Sequence, residues 1–144
     1  MGKPLYFEDI NVGDAPEPLV MGPLTRTQFV KYAGASGDFN PNHHDEVYAR
    51  AHGNPSVFAM GMLPGGYCAR LLTDWFGDGA LRRLRLRFAS RAWPDDVLTC
   101  AARITRKYEE GEEARVDCEF SAVNQKGDAV IQGDATASLP RRRS

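Results

Sequence analysis

Apolar and polar positions along the chain change period twice. Residues 1–24 carry Pro4, Pro16, Pro18 and Pro23, which forbid a long helix there. Tyr6-Phe7 and Leu19-Val20-Met21 read as short extended pieces at a sheet edge. Thr25 or Thr27 is a good N-cap for the apolar set Phe29, Val30, Ala33 and Ala35, so a short helix is predicted over 26–34, stopped by Gly34 or Gly37. Residues 36–45, SGDFNPNHHD, are a polar loop broken at Asn40-Pro41. Asp45 then caps a short helix, EVYARA, that ends at Gly53.

The stretch 61–76, GMLPGGYCARLLTDWF, is the strongest helical candidate, with Pro64 tolerated in its first turn. Met62, Leu63, Tyr67, Cys68, Leu71, Leu72 and Trp75 lie almost all around the cylinder, which predicts a buried helix. Gly65 and Gly66 inside it permit close approach of another backbone or a ligand. After Gly77-Asp78-Gly79 the period falls to two: Leu84, Leu86 and Phe88 alternate with Arg83, Arg85 and Arg87, as in a half-buried strand. Further strands are predicted near 96–107, 113–123 and 128–138, divided by turns at Glu109-Glu110-Gly111 and Asn124 to Gly127. Successive strands joined by tight turns make an antiparallel sheet, and an all-round apolar helix needs that sheet wrapped about it. The expectation is an α+β domain over residues 1–140, a curled antiparallel sheet around a central helix, with a loose basic tail at 141–144.

Composition narrows the partners. The 144 residues are one domain's worth, and a core of that size folds without a disulfide or a metal. Lys and Arg number 18 against 19 Asp and Glu, so the chain lacks the basic excess of a nucleic-acid binder. Mean hydropathy is −0.43. No apolar run approaches the roughly 18 residues of a membrane helix, and the first residues hold no secretory h-region. Cys68, Cys100 and Cys118 are odd in number and fit no zinc spacing, which suits buried reduced thiols in a cytoplasmic protein.

Chemistry concentrates between residues 38 and 52, where Asp38, Asn40, Asp45 and Glu46 accompany all three histidines, His43, His44 and His52. Asp38 and His43 would sit about 140° apart on a helix, but the Asn40-Pro41 break makes a loop that can turn both into one pocket. A carboxylate beside an imidazole holds a water and moves its protons near neutral pH. The bland alternative for Asp38 is an Asx-turn. Adjacent histidines seldom aim at one ion, so no metal site is expected.

The run YAGASGDFNPNHHD resembles the D-x-N-P-x-H-x-D motif of the MaoC-like, or (R)-specific, enoyl-CoA hydratases. FEDINVGD, the apolar stretch 59–63 and RLRFASRAWPDDVL fit the same family, so the likeness spans nearly the whole chain. It implies the hotdog fold and the interconversion of a 2-enoyl thioester with the (R)-3-hydroxyacyl thioester. It implies further that Asp38 and His43 are the catalytic pair, that Asn40 shapes the loop, and that the Gly61 N–H polarises the thioester carbonyl. Asn40, Met60, Met62, Gly65 and Gly66 would line the substrate pocket, and Arg83, Arg85 and Arg87 could cradle the phosphates of CoA. CoA would enter as part of the substrate, with no other cofactor.

Departures from the pattern bear on the pocket. Ala59-Met60-Gly61-Met62 stands where the family has Ala-His-Gly-Met, and Gly66 replaces a serine of some short-chain members. Asn42 replaces an aliphatic residue, and Pro94-Asp95-Asp96 a Pro-Gly-Asp turn. A flexible Met60 beside small glycines predicts a roomier acyl site. HHD and LLTDWFG resemble the catalytic small chain of bacterial steroid side-chain hydratases, which works beside a second hotdog chain. The partners expected are therefore an acyl-CoA or acyl-carrier-protein thioester and a second hotdog chain, in a homodimer, a higher even oligomer or a heteromer. Neither nucleic acid nor membrane is expected. A thioester hydrolase on the same fold and a non-catalytic acyl-binding subunit are the rival readings.

Overall fold

The computed structural model describes residues 3–143. Strands β1 (Leu19–Met21), β2 (Leu81–Phe88), β3 (Leu98–Glu110), β4 (Glu113–Val123) and β5 (Ala129–Leu139) form one antiparallel sheet in the order β1-β3-β4-β5-β2. Helices α1 (Arg26–Ser36) and α2 (Glu46–Ala51) precede the central helix α3 (Met62–Phe76), which packs on the sheet. This is the expected hotdog arrangement. Tyr6-Phe7, expected as extended, leads instead into a single 3₁₀ turn at Phe7–Asp9.

Alternation along β3 and β4 builds the core. Leu98, Cys100, Ala102 and Ile104 point inward from β3, and Val116, Cys118, Phe120 and Ala122 from β4. From α3, Leu63, Cys68, Leu71, Leu72 and Phe76 meet them. Gly133 of β5 lies opposite Leu86 and Phe120 in the ladders, and a Cβ there would collide with the Arg85 carbonyl oxygen and the Phe120 ring. Only glycine lets the two strands and that ring close together.

Three expectations need correction. First, α3 is not covered all round: Met62, Gly66, Arg70 and Asp74 are exposed, a stripe at four-residue spacing, and Arg70 pairs with Asp74 at 3.5 Å. Second, β2 is not half-buried in the expected way. Leu86 packs toward Gly65, but Leu84 is 39% and Phe88 57% exposed. The cause is position, since β2 is an edge strand paired only with β5. Third, the described part of the basic tail is tied down. Arg141 pairs with Glu109, and Arg142 reaches Asp9 at 2.5 Å. Ser144 lies outside the described residues.

Candidate active site

Two capped helices bracket the polar loop. The Thr25 side chain accepts the Gln28 N–H and Gln28 returns a bond to the Thr25 N–H, a full capping box. Gly37 ends α1 at φ 76, donating to the Ala33 carbonyl, and delivers the chain to Asp38. Asn40 then caps a 3₁₀ turn, Pro41–His43, by accepting the Asn42 N–H at 3.0 Å, with Pro41 preset in the first position. Asp45 accepts the Tyr48 N–H and starts α2. The loop is thus held from both ends, and its geometry follows from the caps.

Asp38 and His43 converge. His43 Nε2 lies 3.6 Å from Asp38 Oδ2; the ring is 8% exposed and the carboxylate 44%. His43 Nδ1 sits 2.7 Å from the Phe58 carbonyl oxygen, which can only accept, so Nδ1 carries the proton. In the neutral ring Nε2 is then an acceptor facing the acceptor Oδ2. Two acceptors at that separation are satisfied by one donor with two hydrogens, and water is such a donor. The Phe58 ring meets the His43 ring edge-on at 5.0 Å, fixing its plane.

Gly61 is the N-cap of α3, and among the described residues its N–H has no acceptor. It points its free donor from the positive end of a 15-residue helix. The Phe88 ring packs against it: a Cβ at Gly61 would come within 2.8–3.0 Å of three ring carbons.

A groove of about 920 Å³ runs past this point. Phe58, Gly61, Pro64 and Phe88 line it, together with the 89–93 segment and the β4–β5 turn. Asp38 and His43 do not line it; Phe58 stands between, its carbonyl on His43 and its ring in the groove. The walls are tied together. Gln125 donates to the buried Asp96 carboxylate at 2.8 Å and accepts the Val97 N–H at 2.9 Å, while Ser90 Oγ donates to the Ala129 carbonyl at 2.6 Å.

The other sequence-selected residues are distributed differently. Asn40 belongs to the loop, as expected, and contacts Asn42. Met60 is 1% exposed in the core and does not line the groove, so the argument for a pocket enlarged at that position falls. Gly65 is buried against Leu86 and Met62, whereas Met62 and Gly66 face outward on α3, away from the groove lining. Arg85 is engaged by Asp134 at 2.9 Å and Arg83 lies 3.9 Å from the same carboxylate. They alternate with Leu86 and Phe88, so with Arg87 they occupy the sheet face turned away from α3. The cations that do line the groove, Arg91 and Lys126, were not singled out in the sequence, nor were Phe58 and Trp93.

The three histidines diverge. His44 Nε2 is 3.3 Å from the Phe39 carbonyl oxygen and His52 Nδ1 is 2.8 Å from that of Tyr48. Among the described residues no three His, Cys, Asp or Glu side chains gather as metal ligands. All three cysteines are free and buried. Burial pushes the Cys118 thiol up to about 12, and a hydrogen bond shared with Cys100 raises Cys68 while lowering Cys100. No described helix is long and apolar enough to cross a membrane.

Similarity to known proteins agrees with this geometry. The family described as "MaoC like domain" matches residues 9–126. An (R)-specific enoyl-CoA hydratase of Rhodospirillum rubrum is 30% identical over 141 residues, covering 95% of this chain and 93% of that protein. The beta subunit of a 3-oxo-4,17-pregnadiene-20-carboxyl-CoA hydratase of Mycobacterium tuberculosis is 32% identical over 80 residues, 55% of this chain and 62% of that one. An unliganded (R)-hydratase structure from Pseudomonas aeruginosa superposes with a TM-score of 0.83 at 24% identity, covering 95% of this chain and 86% of that one, a likeness of fold. A match over most of the sequence, a full-length relative and a shared fold place this chain in the MaoC-like domain family.

Proposed function

We propose that the protein is a hydratase. It adds water across the double bond of a 2-enoyl thioester to give the (R)-3-hydroxyacyl thioester, and catalyses the reverse elimination. The observation that carries this reading is the facing pair of acceptors, His43 Nε2 and Asp38 Oδ2, 3.6 Å apart. The Gly61 N–H, without an acceptor among the described residues, supplies a donor at the start of α3. A water held by both is oriented and partly deprotonated as its oxygen bonds to C3. The π electrons pass toward the thioester, whose oxygen takes up enolate charge against the Gly61 N–H, and a proton returned by the pair bonds to C2. One well-placed donor of this kind typically contributes roughly 10²–10³ in rate.

Adding an enoyl-CoA and following loss of its conjugated absorbance tests this, with a thiol reagent present in parallel. Hydration without thiol release supports the reading. Thiol release in its place would establish the hydrolase alternative, and inertness to both the acyl-binding alternative. We infer a cytoplasmic setting from three free thiols. A second hotdog chain, identical or related, would cover the β2 edge, where Leu84 and Phe88 are exposed. Light scattering of the purified protein reads that directly: a fully active monomer would exclude it.

A further inference from the structure

His43 takes its orientation from two stretches of chain that are separate in sequence. Its backbone belongs to the turn Pro41–His43, and the carbonyl that accepts its Nδ1–H at 2.7 Å belongs to Phe58. A single 3₁₀ turn of three residues does not hold such a distance by itself, so the turn has to be fixed against the 54–58 segment. Asn42 is bonded on both sides. Its backbone N–H and its Nδ2 donate to Asn40 Oδ1 at 3.0 and 3.2 Å, inside the loop. Its carbonyl accepts the Phe58 N–H at 3.1 Å, and its Oδ1 accepts from Asn54 Nδ2 at 3.3 Å. Asn54 is buried, and its own N–H donates to the Ala49 carbonyl at 3.0 Å, which seats it on the end of α2. A buried amide donor holds to its acceptor, because the alternative is a polar group left without one. Glu46 Oε2 also reaches the segment, accepting the Val57 N–H at 3.4 Å, but from α2 and with an oxygen shared with Arg26.

Resting on the hydratase reading, we propose that Asn42 and Asn54 are positioning residues for His43. The hydrogen bond between their side chains holds the turn against the 54–58 segment, and the Phe58 carbonyl thereby keeps the ring proton on Nδ1. The consequence lies at the other ring nitrogen. With Nδ1 protonated, Nε2 faces Asp38 Oδ2 as an acceptor, and one water can donate to both. When the turn slips away from Phe58, the neutral ring is free to carry its proton on Nε2 and to donate it straight to Asp38. That tautomer closes the pair on itself and leaves His43 no acceptor for the proton of the water. Neither asparagine lines the groove, so both act through His43.

The test uses the full chain carrying Asn42→Ala, Asn54→Ala or both, each melted before assay on an enoyl-CoA. A reacting group misplaced by about 1 Å costs on the order of 10²-fold in rate, so kcat is expected to fall by roughly 10–10²-fold in each single variant while KM holds. Both substitutions remove the same bond, and the double variant is therefore expected to lose no more than either alone. The second readout is the ring itself. In protein labelled with 15N-histidine at alkaline pH, the His43 signals, assigned by their absence from His43→Ala, are expected to report Nδ1–H in the wild type and Nε2–H in Asn42→Ala. Wild-type kcat in folded Asn42→Ala, an unchanged tautomer, or losses that multiply in the double variant would each overturn the proposal. Should Asn54→Ala fail to fold, half-buried Asn42 carries both readouts alone. The tautomer is read without substrate. A protein that hydrates nothing yet changes tautomer in Asn42→Ala would remove the hydratase reading and uphold the positioning of His43.

Discussion

Replacing Gly61 by alanine sets a single methyl group against the Phe88 ring. The new Cβ would stand 2.8 Å from Cε1, 2.9 Å from Cδ1 and 3.0 Å from Cζ. Carbon pairs rest at about 3.5–4.0 Å, so the ring has to recede by roughly 0.7 Å. It is free to do so, being 57% exposed at the end of an edge strand. Moving it off its rotamer costs about 0.5–1.5 kcal/mol. The backbone at Gly61 is already right-handed helical, φ −55 and ψ −36, and there alanine stabilises by about 0.4–1 kcal/mol through the unfolded chain. The two nearly cancel, so the fold is expected to keep its stability within about 1 kcal/mol, a Tm change of roughly 2–4 °C. Activity is expected to respond differently. The methyl is added to the groove that Gly61 and Phe88 both line, and a carbonyl misplaced there by about 1 Å loses on the order of 10²-fold in rate. The assay is loss of enoyl-thioester absorbance beside a thermal melt of the same sample. Wild-type kcat/KM in a normally folded variant would refute the assigned role of that N–H. A Tm lowered by more than about 10 °C would refute the free swing of Phe88.

Further outcomes are expected elsewhere. Asp38→Asn keeps the loop's turn geometry but removes one acceptor of the water, and turnover is expected to fall roughly 10²–10⁴-fold with an unchanged melt. His43→Ala is expected to match it in turnover while His44→Ala does not, and equal losses in the two would reassign the histidine. Gly133→Ala puts its methyl into the Arg85 carbonyl and the buried Phe120 ring, neither of which can yield cheaply. A loss of about 3 kcal/mol or more is expected in chemical denaturation, and a neutral result would show that β2 can slide. Cys118, pushed up to about 12 by burial, keeps its proton in the folded state while the unfolded thiol ionises near its ordinary value of about 8.5. The unfolded state therefore binds fewer protons between about pH 8.5 and 12, and stability falls with rising pH across that window. Replacing Cys118 by alanine is expected to flatten the fall, and native protein at pH 8 is expected to leave Ellman-type reagent uncoloured until denaturant is added.

Local chemistry made much of this structure readable in advance. Thr25, Gly37, Asn40-Pro41, Asp45 and Gly53 are punctuation with a mechanism each, and the elements they bound stand where their chemistry put them. The runs expected near 96–107, 113–123 and 128–138 are the strands β3, β4 and β5. What stayed hidden depended on partners distant in sequence. Alternation at Leu84, Leu86 and Phe88 tells which residues share a face, and nothing about whether anything covers that face. Arg85 finds Asp134 49 positions away, a pairing that no local pattern encodes. Phe58 acts on His43 through a backbone carbonyl, a group every residue has. A family histidine stands at the position of Met60, but burial there is decided by the packing of α3 and the 57–60 segment, which the motif does not describe.

The two ends of the described chain lie side by side. Phe7 donates its N–H to the Pro140 carbonyl at 2.9 Å, and Arg141 and Arg142 lock onto Glu109 and Asp9 around that junction. A short flexible linker could therefore join the ends and let the chain be opened elsewhere without changing which strands neighbour which. The exposed turn at Gly111, between β3 and β4, is a suitable place to cut, being absent from the groove lining. Opening the turn at 124–128 would instead sever Gln125 from the β4 side of its tie to Asp96. A pair of such permutants would separate what the hairpin at one end of the sheet does for folding from what the hairpin at the other does for the substrate.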